Sequence, residues 1–191
     1  MTDPLIKLFG SHARLKLLRL FLFNPSQSFT VAEASLRSKV GLPEARRELE
    51  LLKQVGLLSR SRGKRVRFGL NDKFPYLVAL KHLLLNTARR GESVPERLRS
   101  AGVIKLVILT GVFVGDVEGG LDMLIAGDRI REPALREKVR GLEAELGREL
   151  RYALLSTPDF LYRLNMNDKL IRDVMDYPHR IVFDRLDIGL K

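Results

Sequence analysis

The sequence predicts an α+β protein of two domains, and three patterns in its 191 residues support that prediction. Charge is divided unevenly, because residues 1–91 carry 18 Lys+Arg and 6 Asp+Glu, whereas residues 92–191 carry 16 and 17. The hydrophobic pattern of the first half changes from helical spacing to strict alternation near residue 57. The second half alternates short apolar runs with helical patterns, which is typical of a small α/β domain. We therefore expect domains at 1–90 and 100–191, with 89–93 as the linker.

The first helices are predicted from spacing and capping residues. Apolar residues recur at helical spacing from Leu5 to Phe23, which predicts one amphipathic helix that includes Gly10-Ser11. A capping box at Thr30 and Glu33 predicts the start of a second helix, which ends near Ser38. The third predicted helix has a proline at its first position and a left-handed Gly56 after its end, and it covers Pro43–Gln54.

A basic hairpin follows the third helix. Leu57–Arg60 and Arg65–Leu70 have the composition and alternation of strands, with a turn at 61–64 between them. In the second strand, Val66, Phe68 and Leu70 would face the core, and Arg65 and Arg67 would face outward. Three helices followed by such a hairpin is the order of a winged helix-turn-helix. In that arrangement Pro43–Gln54 is the recognition helix and the hairpin is the wing.

These two elements predict contact with double-stranded DNA. A helix fits the major groove, and a narrow cationic hairpin can lie against phosphates or in the minor groove. The candidate DNA-binding residues lie on the third helix and the wing: Glu44, Arg46, Arg47, Arg60, Arg62, Lys64, Arg65 and Arg67. The alternative is that the hairpin cations are simply solvated, as most charge runs are.

Three segments of the first half resemble winged-helix transcriptional regulators related to the ArsR group. They are LFGSHARLKLLRLFLFNP, FTVAEASLRSKV and EARRELELLKQVGLL, and the resemblance covers roughly residues 5–88. The pattern from Glu48 to Leu58 is the usual end of the recognition helix in that group. The resemblance implies a homodimer formed through the helix predicted over Tyr76–Ala88, with the first helix as its neighbour. Packing of that helix within its own chain remains an equal alternative.

The second half contains predicted strands and helices in alternation. The strands are Val103–Gly111, Leu121–Gly127, Tyr152–Ser156 and a short closing strand at Arg180–Phe183. The helices run from Pro133 to about Leu150, from an N-cap at Thr157, and over Asp168–Met175.

The turn after the first of these strands resembles the minimal nucleotidyltransferase domain of the polymerase-β superfamily. Gly111, Gly115 and the segment GGLDMLIAGD carry the resemblance. Active members have Gly-Ser in the turn and two carboxylates one residue apart, which hold two Mg²⁺ ions. Here Val112 replaces the serine, and Gly120 takes the first carboxylate position when Asp122 takes the second. The resemblance thus implies a domain that is not an enzyme, with no metal or cofactor and a vestigial pocket at Gly111, Gly115 and Asp122.

Composition excludes several other classes. The chain has no cysteine and only three histidines, which argues against disulfides, thiolate catalysis and histidine-based metal sites. The N-terminus does not have the pattern of a signal peptide, and the apolar runs are too short to span a bilayer. We therefore expect a cytoplasmic, dimeric, DNA-binding transcriptional regulator with no membrane partner, whose second domain is a sensor for an unknown small ligand or a scaffold for a protein partner. The alternatives are an active nucleotidyltransferase acting on a nucleic acid, nucleotide or protein, and an antitoxin-type protein-binding module.

Overall fold

The computed structural model describes residues 4–61, 65–88, 94–116 and 120–188, and within them the fold is α+β with two separate sheets. The chain divides into two units. The first consists of Met1–Thr87 and Gly141–Glu149, and the second of Ala88–Arg140 and Leu150–Lys191. The segment 141–149 therefore belongs with the first unit, although the sequence analysis assigned it to the second domain. The expected linker at 89–93 and most of the turn at 61–64 lie outside the described residues.

The elements follow in chain order. The helices and strands up to residue 88 are α1 (Pro4–Phe9), α2 (His12–Phe23), β1 (Ser28–Phe29), α3 (Val31–Ser38), α4 (Leu42–Gln54), β2 (Leu58–Arg60), β3 (Phe68–Leu70) and α5 (Leu77–Ala88). Those after it are α6 (Val94–Leu98), β4 (Val103–Leu109), β5 (Met123–Asp128), α7 (Glu132–Leu146), β6 (Tyr152–Ser156), α8 (Thr157–Asn165), α9 (Lys169–Asp176) and β7 (Arg180–Asp184).

The prediction of one continuous first helix is wrong. Gly10 has a left-handed backbone with φ of 71°, which ends α1. The Ser11 hydroxyl then accepts the Arg14 backbone N–H at 3.0 Å and caps the start of α2. Apolar spacing continued through both residues, so periodicity alone did not reveal the break.

The first sheet has the strand order β1-β3-β2, and both pairings are antiparallel. Its third strand, β1, was not predicted, because two residues are too short to show an alternating pattern. Phe68 and Leu70 are buried as expected, whereas Val66 is 36% exposed, so its predicted inward orientation is wrong. The strand begins only at Phe68, and the pleat that would turn Val66 inward therefore does not extend that far.

The helix caps that the sequence predicts in the first unit are present in the structure. The Thr30 hydroxyl accepts the Glu33 backbone N–H at 3.2 Å, and the Glu33 carboxylate accepts the Thr30 N–H at 2.7 Å, which confirms the capping box. Gly56 is left-handed with φ of 82°, also as predicted. The core of this unit is formed by α2, α4, the sheet and α5, and its fully buried side chains include Leu15, Leu17, Phe21, Leu49, Phe68 and Leu84.

Segment 141–149 joins the first unit through contacts with α2. The Arg19 guanidinium donates to the Glu145 carbonyl at 3.1 Å, and the Asn24 amide donates to the Gly147 carbonyl at 2.6 Å. Gly147 has φ of 76°, and its Cα lies so close to the backbone of Arg19 and Leu20 that no Cβ would fit. The left-handed Gly147 also ends α7 earlier than the predicted limit near Leu150.

The second sheet has the strand order β6-β5-β4-β7. β4 is antiparallel to both β5 and β7, whereas β5 and β6 are parallel. α8 and α9 contribute to its core, which includes Leu106, Ile108, Leu124, Phe160, Ile171 and Val174. The predicted bounds of β6 are confirmed, but the N-cap of α8 is Ser156 rather than Thr157. Ser156 is extended, and its hydroxyl accepts the Asp159 N–H at 3.2 Å, so the helix starts one residue earlier.

Among the described residues, none of the helices combines the length and the apolarity needed to cross a bilayer.

Candidate nucleic-acid interface

The first two turns of helix α4 present a polar surface with two cations. Ala45 and Leu49 are fully buried, whereas Glu44, Arg46 and Arg47 on the other side of the helix are exposed. Within the described part of the chain, Arg46 and Arg47 make no ion pair. Both guanidiniums are therefore available to an external anion. The N-terminal end of the helix adds a favourable field for phosphate.

An ion pair that the sequence analysis did not identify holds α4 in place. Glu48 is 9% exposed, and its Oε2 lies 2.8 Å from Nε of Arg14 at the start of α2. Arg14 Nη1 also donates to the Phe9 carbonyl at 2.8 Å, so one guanidinium links α1, α2 and α4. The partners Arg14 and Glu48 lie 34 residues apart, and no local pattern connects them.

The wing cations occupy different positions. Arg60 ends β2 and is partly exposed, with only a 3.7 Å contact to Glu50. Arg65 is exposed and pairs with none of the described carboxylates. Arg62 and Lys64, also predicted to bind DNA, lie outside the described residues. Arg60 and Arg65 are thus the wing cations that the structure places at the surface.

Arg67 lies against β1 and α3 instead. Its Nε donates to the Ser28 hydroxyl at 3.1 Å, its Nη2 donates to the Ser28 carbonyl, and its guanidinium lies 2.9 Å from a Glu33 oxygen. The Thr30 backbone N–H and the Arg67 charge lower the pKa of Glu33 below its ordinary value. These contacts use most of the hydrogen-bond donors of Arg67. Its guanidinium therefore stabilises β1 and α3 and is less available to bind an anion at the wing surface.

In the second unit, Gly111 and Asp122 lie together as the sequence predicted. The predicted pocket between these two described residues is absent, because the Asp122 side chain fills the space beside Gly111. Asp122 is 0% exposed, and its two carboxylate oxygens accept the backbone N–H groups of Val112 at 3.0 Å and Arg151 at 2.9 Å. Gly111 has φ of 49°, and a Cβ there would collide with the Asp122 carboxylate. Gly115, with φ of 89°, completes the turn and is partly exposed. Asp122 therefore fixes the turn and does not face an open pocket.

The described residues contain no group of three or more His, Asp and Glu side chains arranged to hold a metal ion. Comparison of the chain with protein-family models, with curated proteins and with solved structures found no match.

Proposed function

We propose that the first unit binds double-stranded DNA as a winged helix-turn-helix and that the protein is a cytoplasmic transcriptional regulator. The observation that carries this proposal is a pair of exposed arginines on the second turn of α4, Arg46 and Arg47, which form no ion pair with the described carboxylates. Strands β2 and β3 follow the helix and join β1 in a three-stranded antiparallel sheet, and the basic segment of the wing lies between β2 and β3 in the sequence. An exposed helix end and a cationic hairpin in one small unit match the two kinds of contact that such domains make with DNA.

The charges predict a salt dependence. Arg46, Arg47, Arg60 and Arg65 are exposed, and Arg62 and Lys64 add two wing cations in the sequence. If each neutralises one phosphate, the slope of log K against log salt is about −5 per chain, since each contact contributes about −0.9. A regulator that reads sequence also retains affinity in the presence of scrambled competitor DNA.

The test is a fluorescence anisotropy titration against the DNA upstream of the protein's own gene, across a salt series and with scrambled competitor. The variant R46A/R47A should weaken binding by about 10- to 100-fold and reduce the steepness of the slope by about 1 to 2. The matched control is K138A/R140A, which removes the same charge from the exposed side of α7. Equal losses in both variants would mean that only net charge matters, and an unchanged R46A/R47A would remove α4 from the interface.

We also propose that the second unit does not transfer nucleotides and serves as a scaffold or sensor. The Asp122 carboxylate is fully buried in the turn, where each of its oxygens accepts a backbone N–H, so a Mg²⁺ ion could reach it only if the turn opened. Incubation with labelled nucleoside triphosphates, Mg²⁺ and RNA or protein acceptors should give no incorporation. Incorporation above a heat-denatured control would contradict this proposal and favour the enzyme alternative.

The homodimer is proposed on the exposed apolar residues of α5 and of α1, the two helices that the resemblance assigns to the dimer interface. Val78 is 68% exposed and Leu83 is 40% exposed, and Leu8 on α1 is also largely exposed. Sedimentation equilibrium should give twice the mass of the chain, and V78E should shift the protein towards monomer. A monomer at all concentrations would mean that α5 packs only within its own chain.

A further inference from the structure

A surface cavity of about 400 Å³ lies in the first unit, on the side of β1 and α3. It is lined by Gln27, Ser28, Phe29, Glu33, Arg37 and Arg67. Two of these six side chains are guanidiniums and one is a carboxylate, so the lining has a net positive charge.

Arg37 is held in place but weakly neutralised. Its guanidinium lies over the Phe29 ring, 5.3 Å from the centroid, and Phe29 itself is 97% buried as part of the core. The carboxylate facing it is Glu149 at 3.5 Å, whose side chain is 81% exposed. An ion pair this exposed contributes little, so a ligand anion can displace Glu149 from Arg37.

The other polar residues of the cavity are of two kinds. Arg67 and Glu33 are bonded to each other, whereas Ser28 and Gln27 can still donate hydrogen bonds to a ligand. Arg67 and Glu33 neutralise each other, and the capping box holds Glu33 in place. The Ser28 hydroxyl oxygen accepts from Arg67, which leaves its hydrogen to donate elsewhere. Gln27 is exposed and brings an amide N–H₂ group to the same cavity. Arg37, Ser28 and Gln27 therefore supply donors of three chemical types.

We infer that this cavity binds a phosphate group, with Arg37 as its main ligand. The planar fork of an arginine matches two phosphate oxygens, and a hydroxyl and an amide can serve the remaining ones. A carboxylate, with two oxygens, would use fewer of these donors. The phosphate comes from one of two sources, a free phosphate or phosphate monoester in solution or a phosphodiester of the DNA backbone.

Two substitutions act on this site in opposite directions. R37A removes the main ligand and should weaken phosphate binding about tenfold or more. E149Q removes the competing carboxylate and should strengthen phosphate binding about twofold. Damage to the fold would weaken binding in both variants, so the opposite signs separate electrostatics from structural loss. The control is R172A, which removes an exposed arginine from α9.

The experiment is an NMR titration of the full chain with inorganic phosphate, with chloride exchanged to hold ionic strength constant, followed at the amides of Gln27, Ser28 and Phe29. A parallel anisotropy measurement gives the DNA salt slope of wild type and R37A. Saturable shifts that R37A abolishes and E149Q strengthens support the site with free phosphate as ligand. A slope that becomes less steep by about 0.9 in R37A supports the site with the DNA backbone as the source.

The inference is overturned if phosphate gives no saturable shift and R37A leaves the slope unchanged. It is also overturned if R172A weakens binding as much as R37A does. The phosphate titration contains no DNA, so its result stands whether or not the proposed DNA binding is found.

Discussion

Asp122 is the residue whose replacement should damage the second unit most directly. Its carboxylate is fully buried and receives two backbone N–H groups, from Val112 at 3.0 Å and from Arg151 at 2.9 Å. In Asp122→Ala both N–H groups lose their acceptor, in a buried bond for Val112 and in a partly buried one for Arg151. A buried, unpaired polar group costs about 1–3 kcal/mol, so the two together should lower the free energy of unfolding by about 2–6 kcal/mol.

Asp122→Asn refines this estimate. The amide keeps one acceptor oxygen and the volume of the side chain but directs an N–H₂ group at one of the two donors. We therefore expect Asp122→Asn to lose a substantial part of the stability that Asp122→Ala loses, although no atoms are removed. The Val112 amide should also exchange its hydrogen faster in both variants, because its bond partner is altered.

The assay is urea unfolding followed by far-UV circular dichroism. The control is Asp173→Ala, which removes an exposed carboxylate from α9 and should change stability by about 0.5 kcal/mol or less. If Asp122→Ala unfolds at the same urea concentration as Asp173→Ala, the buried carboxylate does not hold the turn and the reasoning fails. If it is destabilised as expected, Asp122→Ala cannot be used to test for catalysis by this carboxylate, because the substitution damages the fold itself.

Three further perturbations test the first unit and the surface. Glu48→Ala should lower stability by about 1–3 kcal/mol, because the partly buried Arg14 loses its carboxylate partner; a urea midpoint equal to wild type would contradict this. Thr30→Ala should cost about 1 kcal/mol through loss of the helix cap, and Thr30→Ser, which keeps a hydroxyl, should restore most of it in the same assay. The pKa values of Glu33 and of Asp128 (bound by Lys105 and Thr157) lie below their ordinary values, so both groups stabilise the fold above about pH 4 and lose that contribution as pH falls further. Melting temperatures between pH 6 and pH 3 should therefore fall less in E33Q and D128N than in wild type; parallel curves would argue against these two carboxylates.

Local signals in the sequence correctly predicted the elements that depend on near neighbours. The capping box joins residues three apart, the left-handed Gly56 follows directly from its helix, and the apolar run of β6 has its own clear limits. The same reasoning failed at Gly10-Ser11, where the apolar spacing continued across a break made by one glycine φ angle and one hydroxyl. Periodicity reports which face is buried, and it does not report whether the backbone is continuous.

The sequence by itself determined the α+β class, the concentration of positive charge in the first half, and most helix and strand positions, because these depend on composition and on residues within a few positions of one another. Three features were decided only by the tertiary structure. Arg67 binds β1 and α3, the Asp122 carboxylate accepts backbone N–H groups inside the fold, and segment 141–149 packs against α2. The partners in these contacts lie 39, 29 and, for Arg19 and Glu145, 126 residues apart. A contact across such a separation leaves no periodic trace in the sequence, since it depends on how elements pack and not on the spacing within any one of them.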